Sequence, residues 1–435
     1  MAVRPSWLES ATSPDATARG STAEYSPVGR TAVAARVLVV LLGMAAAAIF
    51  VNGLVMAWTT PADDTLLARV GDFDMRDRAA EYRCFRQGVY PNQQLAGPNP
   101  PPWVRNSPYP PYAFPMLALF FEPGGALQGR ILLEAVSLTA LFVIGWFGAR
   151  ELAFAGPAVS AIGALAGIAI TGNSTVFALG HFSILCMGLV VGQIALLRNG
   201  RPVAAGICWA LAMIKPQIAL AFAPLFMIDR QWRGLAAGGG LLVALGLSAC
   251  WWTGVPPLRA ISGWWVGLGQ SGTVSTIGQG VGPGSIAAAL DINPRHVHKA
   301  LLVVLGGSLA SMSWWLWRRP VNRGDRGGLL VPLAGVCAVL GEVCLYHFHY
   351  DNVMLVPSAI AMLAVAVTRP AWWSRGLAAV MMSTLWIPHR FITMVPYNGL
   401  ARAVIWVAVA AVLTKLVAAG SAARLLHRPE PPATT

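Results

Sequence analysis

The stretch Val37–Trp58, VLVVLLGMAAAAIFVNGLVMAW, carries no charge. As a helix rising about 1.5 Å per residue it spans about 33 Å, enough to cross the ~30 Å hydrocarbon core of a bilayer. Arg19, Arg30 and Arg36 precede it, and it runs on into WTTPADD. A cleaved signal has a shorter apolar core and a small-residue exit, so this run reads as a retained first membrane helix. Outward from it, apolar stretches recur at 128–149, 157–173, 181–197, 203–214, 216–228, 234–254, 298–317, 328–346, 351–368, 374–389 and 400–419. The pattern predicts an all-α polytopic bundle of about 12 membrane helices. Residues 34–420 form one multi-spanning domain, between a disordered N-terminus at 1–33 and a tail at 421–435.

Composition supports this. Of the 435 residues, 56% are hydrophobic and only 11% charged, against roughly a quarter charged in soluble chains. That excludes a soluble enzyme and a disordered tail protein. The net charge of +13 does not point to nucleic acid, because the basic residues recur in small groups between apolar runs and form no single phosphate-gripping patch. Arg150, Arg198, Arg201, Arg230, Arg233, Arg318, Arg319, Arg369 and Arg375 fall in alternate short loops, which places both termini on the cytoplasmic side. Two long polar segments, about 59–127 and 255–297, then lie outside. They are rich in Gly, Pro and aromatic residues and read as ordered caps on the membrane, the first carrying interfacial helices. Five of the six cysteines sit in apolar stretches without CxxC or Cys/His spacing, so they read as core and neither a zinc site nor a disulfide framework is indicated.

The stretch Val203–Ile228 has basic flanks on both sides, RNGR and DRQWR. It is too short to cross the core twice. It is either one helix with a flank outside, or a hairpin of two half-length helices turning at Lys215-Pro216, where proline disfavours helix in the residue before it. The hairpin is the expected form. It would leave Lys215 at membrane depth, where a cation needs an anion or water.

Acids are scarce, so their positions inform. GDFDMRDRAAEYRCFRQGVY carries Asp72, Asp74, Asp77 and Glu81 just after the first span. One reading is an interfacial helix whose acids cap its N-terminus and pair with neighbouring arginines. The other is that one carboxylate serves as a general base near the headgroups. Tyr109-Pro110-Pro111-Tyr112 is a stiff turn that can shape a pocket. Lys215 either snorkels or binds a phosphate. In LYHFHYDNVMLVP, His347 lies near Asp351 if the segment is helical, and His349 shares the segment; as a metal site this set is weak. Arg295, His296, His298 and Lys299 open another helix as a basic collar that suits a lipid phosphate. All four groups map to the same side of the membrane, a pattern expected of a site.

With those residues in hand, the chain resembles the bacterial polyprenol-phosphate-mannose-dependent mannosyltransferases, glycosyltransferase family 87 of the C-type superfamily. The resemblance runs through Asp72-Phe73, Ala79-Ala80, Gly88-x-Tyr90 and Tyr109-Pro110-Pro111, then Ala205-Gly206 through Lys215-Pro216 to RQWR, and His349-Tyr350-Asp351. Arg76 and Gly180-His181 depart from it, at places where the family has Tyr and Gly-Gln. The resemblance implies a multi-pass enzyme of the bacterial cell membrane, acting on its extracytoplasmic side. It would move mannose from a polyprenyl phosphate to a hydroxyl of a glycolipid or glycan acceptor with inversion, needing no cofactor or metal. By the same resemblance Asp72 is the base, with Asp74 as second choice and His349 near the reacting groups. Lys215, Arg295 and His298 would meet the donor phosphate; Tyr109, His181, His347 and Asp351 would line the substrate site. The competing reading is a transporter or flippase of a lipid-linked envelope precursor, which the one-sided charge and lack of repeats disfavour.

Overall fold

The computed structural model describes residues 27–59, 73–92, 107–122, 126–271, 281–318, 326–345, 347–369, 371–388, 391, 394 and 397–419. Asp72 and the segments 1–26 and 420–435 lie outside them. All regular structure among the described residues is helical: α1 (Pro27–Thr59), α2 (Phe73–Arg86), α3 (Ala113–Phe121), α4 (Ala126–Leu152), α5 (Pro157–Ile168), α6 (Gly172–Leu179), α7 (Ser183–Arg198), α8 (Pro202–Ala212) and α9 (Pro216–Ala219). A 3₁₀ stretch, Leu220–Arg230, continues α9. There follow α10 (Trp232–Thr253), α11 (Pro257–Ser271), α12 (Pro283–Leu290), α13 (Pro294–Arg318), α14 (Arg326–Cys344), a 3₁₀ turn at His349–Leu355, α15 (Val356–Thr368), α16 (Trp372–Trp386) and α17 (Asn398–Ala418). Proline opens many of these helices, where its missing N–H costs nothing.

Among the described residues, six helices are long and apolar enough to cross a membrane, or seven if the bent pair α5–α6 counts as one span. The chain is a multi-pass membrane protein, and large apolar side chains such as Phe142 and Val303 face outward from the bundle. The remaining apolar stretches do not all stand as the full spans that about 12 membrane helices would require. Ser183–Arg198, Pro202–Ala212, Pro216–Ile228 and Gly328–Cys344 are shorter; sixteen residues in α7 rise only about 24 Å.

Their shortness has a local cause, breaks that put polar residues at one end of the bundle. The break at Lys215-Pro216 folds the chain back on itself. Trp209 of α8 donates from Nε1 to Ala219 O at 3.0 Å and packs edge-on to Phe226, centroids 5.9 Å apart. A straight helix would hold residues 209 and 226 about 25 Å apart, so the stretch is a hairpin. At the opposite end of α7 and α4, Arg198 forms a two-pronged pair with Glu151. The α2–α3 segment is pinned to α10 and α11 by Trp252 Nε1 to Phe85 O (2.8 Å), Trp264 Nε1 to Pro108 O (2.9 Å) and Tyr90 OH to Ala260 O (3.0 Å). The two polar segments after α1 and after α10 therefore cap the bundle together.

Candidate active site

Lys215 sits at the tip of the hairpin in a non-helical backbone conformation (φ −120°, ψ 83°) ahead of Pro216, in keeping with the bar proline sets on helix in the residue before it. Its Nζ donates to Asp351 Oδ1, to Ser183 Oγ at 2.7 Å and to His181 Nδ1 at 3.2 Å. An ammonium has three N–H bonds, and all three are taken. Ser183 Oγ donates in turn to Asp351 Oδ1 at 2.6 Å. Asp351 Oδ2 accepts the Phe348 N–H at 3.3 Å, a back-bond across the first turn, and lies 3.5 Å from His347 Nδ1. The ring of Tyr350 lies 5.1 Å beneath Nζ and 4.4 Å from the His181 ring. Lys215 is 2% exposed and Asp351 1%. Buried charges persist only when paired and hydrogen-bonded, and this pair meets both conditions.

Backbone packing makes the approach possible. A Cβ on Gly172 would lie 2.5 Å from His349 O and 2.8 Å from Tyr350 Cα, so glycine at the start of α6 lets the 349–350 backbone close in. Gly180 ends α6 in the left-handed region, φ +67°, a conformation glycine adopts without strain. Met75 of α2 packs against it, and that seats the neighbouring Asp74 on His181. Since a lysine can only donate, His181 Nδ1 accepts from Lys215, the proton sits on Nε2, and Nε2 donates to Asp74 Oδ2. Asp74 keeps part of its carboxylate accessible.

Along α2, Arg78 lies one turn beyond Asp74. It is 4% exposed, with its guanidinium 4.5 Å over the Tyr109 ring and Nη1 2.9 Å from Glu81 Oε2. Tyr109 touches Phe182, the residue after His181. Burial lifts the Glu81 carboxyl from 4.5 to about 7, against the opposing pull of Arg78. On the other side of Asp351 lie three buried groups: His347; Glu342 of α14, 3.9 Å from His347 Nδ1; and Arg402 of α17, stacked on Trp406. His349 Nε2 lies 3.3 Å from Thr175 Oγ1, at the rim of the same cluster.

The structure thus joins Asp74, His181, Lys215, His347 and Asp351 in one network, with Tyr109 and His349 at its edges. Arg295 is exposed at the start of α13 and its N–H bonds Asn293 Oδ1. Neither Arg295 nor His298 has an ion pair or hydrogen bond to the network among the described residues. Sequence reading missed Ser183, Glu342 and Arg402. A lone acid or base inside an apolar stretch was the signal for the last two; Ser183 had none.

A multi-pass helical protein with a saturated ionic network at one end, bordered by a part-exposed carboxylate, is a membrane protein equipped for polar chemistry at the lipid boundary. The sequence model of glycosyltransferase family 87 matches residues 108–345, more than half of the chain, and the chain belongs to that family. It is a membrane glycosyltransferase, using a sugar donor and an acceptor. The matched stretch holds Tyr109, His181, Lys215 and Glu342, but not α2 or His347–Asp351. No curated protein and no solved structure matches the chain.

Proposed function

We propose that the protein transfers a hexosyl residue, mannose by the resemblance, from a polyprenyl phosphate to a hydroxyl of a glycolipid or glycan acceptor, on the extracytoplasmic face of a bacterial cell membrane. The observation that carries this reading is the chain of contacts Asp74–His181–Lys215–Asp351. It anchors the beginning of α2, and with it a cluster of carboxylates, to the polar end of a lipid-facing bundle.

In the reaction the acceptor oxygen bonds to the anomeric carbon from the face opposite the phosphate. The bond from that carbon to the phosphate oxygen breaks, and its electron pair leaves with polyprenyl phosphate. The acceptor proton passes to a carboxylate. Phosphate is a good leaving group, so no strong general acid is needed; the base supplies about 10²–10⁴-fold. Asp72, two residues before Asp74 in the chain, is assigned this role. Asp74 is already held by His181, which suits it to fix the start of α2. Lys215 and Asp351 offset each other's charge and act as the frame. His349 borders the acceptor side, and Arg295 and His298 have no part in this reading.

The test is a transfer assay in proteoliposomes with polyprenyl-phosphate mannose and a glycolipid acceptor. Asp72→Asn should lower kcat about a hundredfold, with a smaller loss for Asp74→Asn. A near-normal rate in Asp72→Asn with a dead Asp74→Asn would move the base to Asp74. Absence of any mannosyl product from the wild type, with product from another polyprenyl-phosphate hexose, would change the sugar and keep the class.

A further inference from the structure

We propose that Arg78 is the cation that receives the phosphate of the lipid-borne donor, a proposal that rests on the reading above. Lys215 is the obvious candidate, but its three N–H bonds are spent on Asp351, Ser183 and His181. To bind a phosphate it would have to release a partner and leave a buried group unpaired, which is costly.

Arg78 is less completely engaged. Its Nη1 is paired with Glu81 Oε2, but its Nε has no hydrogen-bond partner among the described residues, although the side chain is almost wholly buried. Such groups are rare in folded proteins, and a ligand that satisfies them is one reason they persist. The guanidinium is already oriented, stacked at 4.5 Å on the Tyr109 ring and flanked by Glu81 at 2.9 Å. A planar, fixed fork of donors is the arrangement that binds phosphate oxygens in pairs.

Its position is also right. Arg78 follows Asp74 by four residues on one helix face, and Tyr109, on which it stacks, touches Phe182 beside His181. The charged and titratable groups around it are Asp74, Asp77, Glu81 and Tyr109. Asp74 is engaged by His181. Glu81 is the competitor for Arg78, and burial leaves it only partly ionised near neutral pH. An arriving phosphate therefore meets a cation whose local counter-charge is incomplete, and binding would drive a proton onto Glu81.

The experiment measures binding of three probes to the full-length protein in nanodiscs of a zwitterionic lipid: polyprenyl phosphate, the matching polyprenol, and inorganic phosphate. Wild type is expected to prefer polyprenyl phosphate over polyprenol by at least tenfold. Arg78→Gln should abolish that preference and leave polyprenol affinity unchanged, whereas Glu81→Gln should raise the preference severalfold. A merely structural Arg78–Glu81 pair predicts the reverse for Glu81→Gln, because it loses an ion pair and gains nothing. Arg78→Gln that keeps the phosphate preference overturns the proposal while leaving the transferase reading intact. A wild type with no preference for the phosphorylated lipid overturns both. Inorganic phosphate bound as tightly as polyprenyl phosphate would make this a free-anion site and overturn the donor assignment. Should Arg78→Gln fail to fold, Glu81→Gln decides alone: tighter binding supports the proposal, and unchanged or weaker binding refutes it.

Discussion

Two charged clusters flank His181, and they differ in how far their hydrogen bonds are satisfied. Around Lys215, every N–H of the ammonium has an acceptor, and Asp351 is bonded through both oxygens. On α2, Arg78 is buried almost as deeply, with Nη1 paired to Glu81 and Nε unserved. A closed network in a low-dielectric interior is stiff, since any displacement strands a charge. An open one holds unspent donors for something else. The contrast suggests a division of labour in which the bundle supplies the fixed frame and the first polar segment supplies the groups that meet substrate.

Breaking the frame should have the largest effect. Lys215→Met leaves Asp351 buried and unpaired and should cost about 3–5 kcal/mol of stability, read as a lowered melting temperature in detergent. The double variant Lys215→Met/Asp351→Leu should recover most of it. An unchanged melting temperature in the single variant would remove Lys215 from the frame.

His181 is the joint between the two clusters. His181→Phe preserves the stacking on Tyr350 but loses both hydrogen bonds, and kcat should drop about tenfold, the consequence of leaving a buried partner unsatisfied. Because an amide can donate to Asp74 and accept from Lys215 at once, His181→Gln should restore most of the rate. Equal losses in both variants would show that the imidazole itself is required.

The smallest effect belongs to Glu81. Its folded pKa is raised, so the fold prefers the neutral acid. That contribution is complete below the ordinary value of 4.5 and is lost as pH rises through about 7. Resistance of the α2 segment to proteolysis should therefore decline as pH rises from about 4.5 to about 7 and level off above that. Glu81→Gln should make it flat; a wild type already flat over that window would argue that Glu81 stays ionised.

Much of this was legible beforehand. Apolar runs long enough for a bilayer announced the membrane class, and Lys215-Pro216 announced the hairpin tip, because proline acts on its immediate neighbours. His347 and Asp351 do approach, to 3.5 Å, although not by the helical spacing that suggested it, since Phe348 is extended and the turn begins at His349. The count of spans was less legible: an apolar stretch reads the same whether its helix is long enough to cross, as α10 is, or stops short, as α8 does. The basic collar at 295–299 shared the expected side of the membrane without joining the network, since charge bias reports sidedness and says nothing of distance.

What the sequence determined alone is the medium: hydropathy is a property of each segment, and no partner is needed to make Val37–Trp58 a membrane helix. What only the tertiary structure decided is which charges are fully bonded and which keep an unserved donor. Lys215 and Asp351 stand 136 residues apart, and their meeting depends on a glycine in α6 that admits the 349–350 backbone. Arg78 and Glu81 are adjacent on one helix, yet what they lack is visible only once Tyr109 is folded over them. Hydrogen-bond satisfaction is a property of the packed assembly, because each donor needs an acceptor brought to it by another part of the chain.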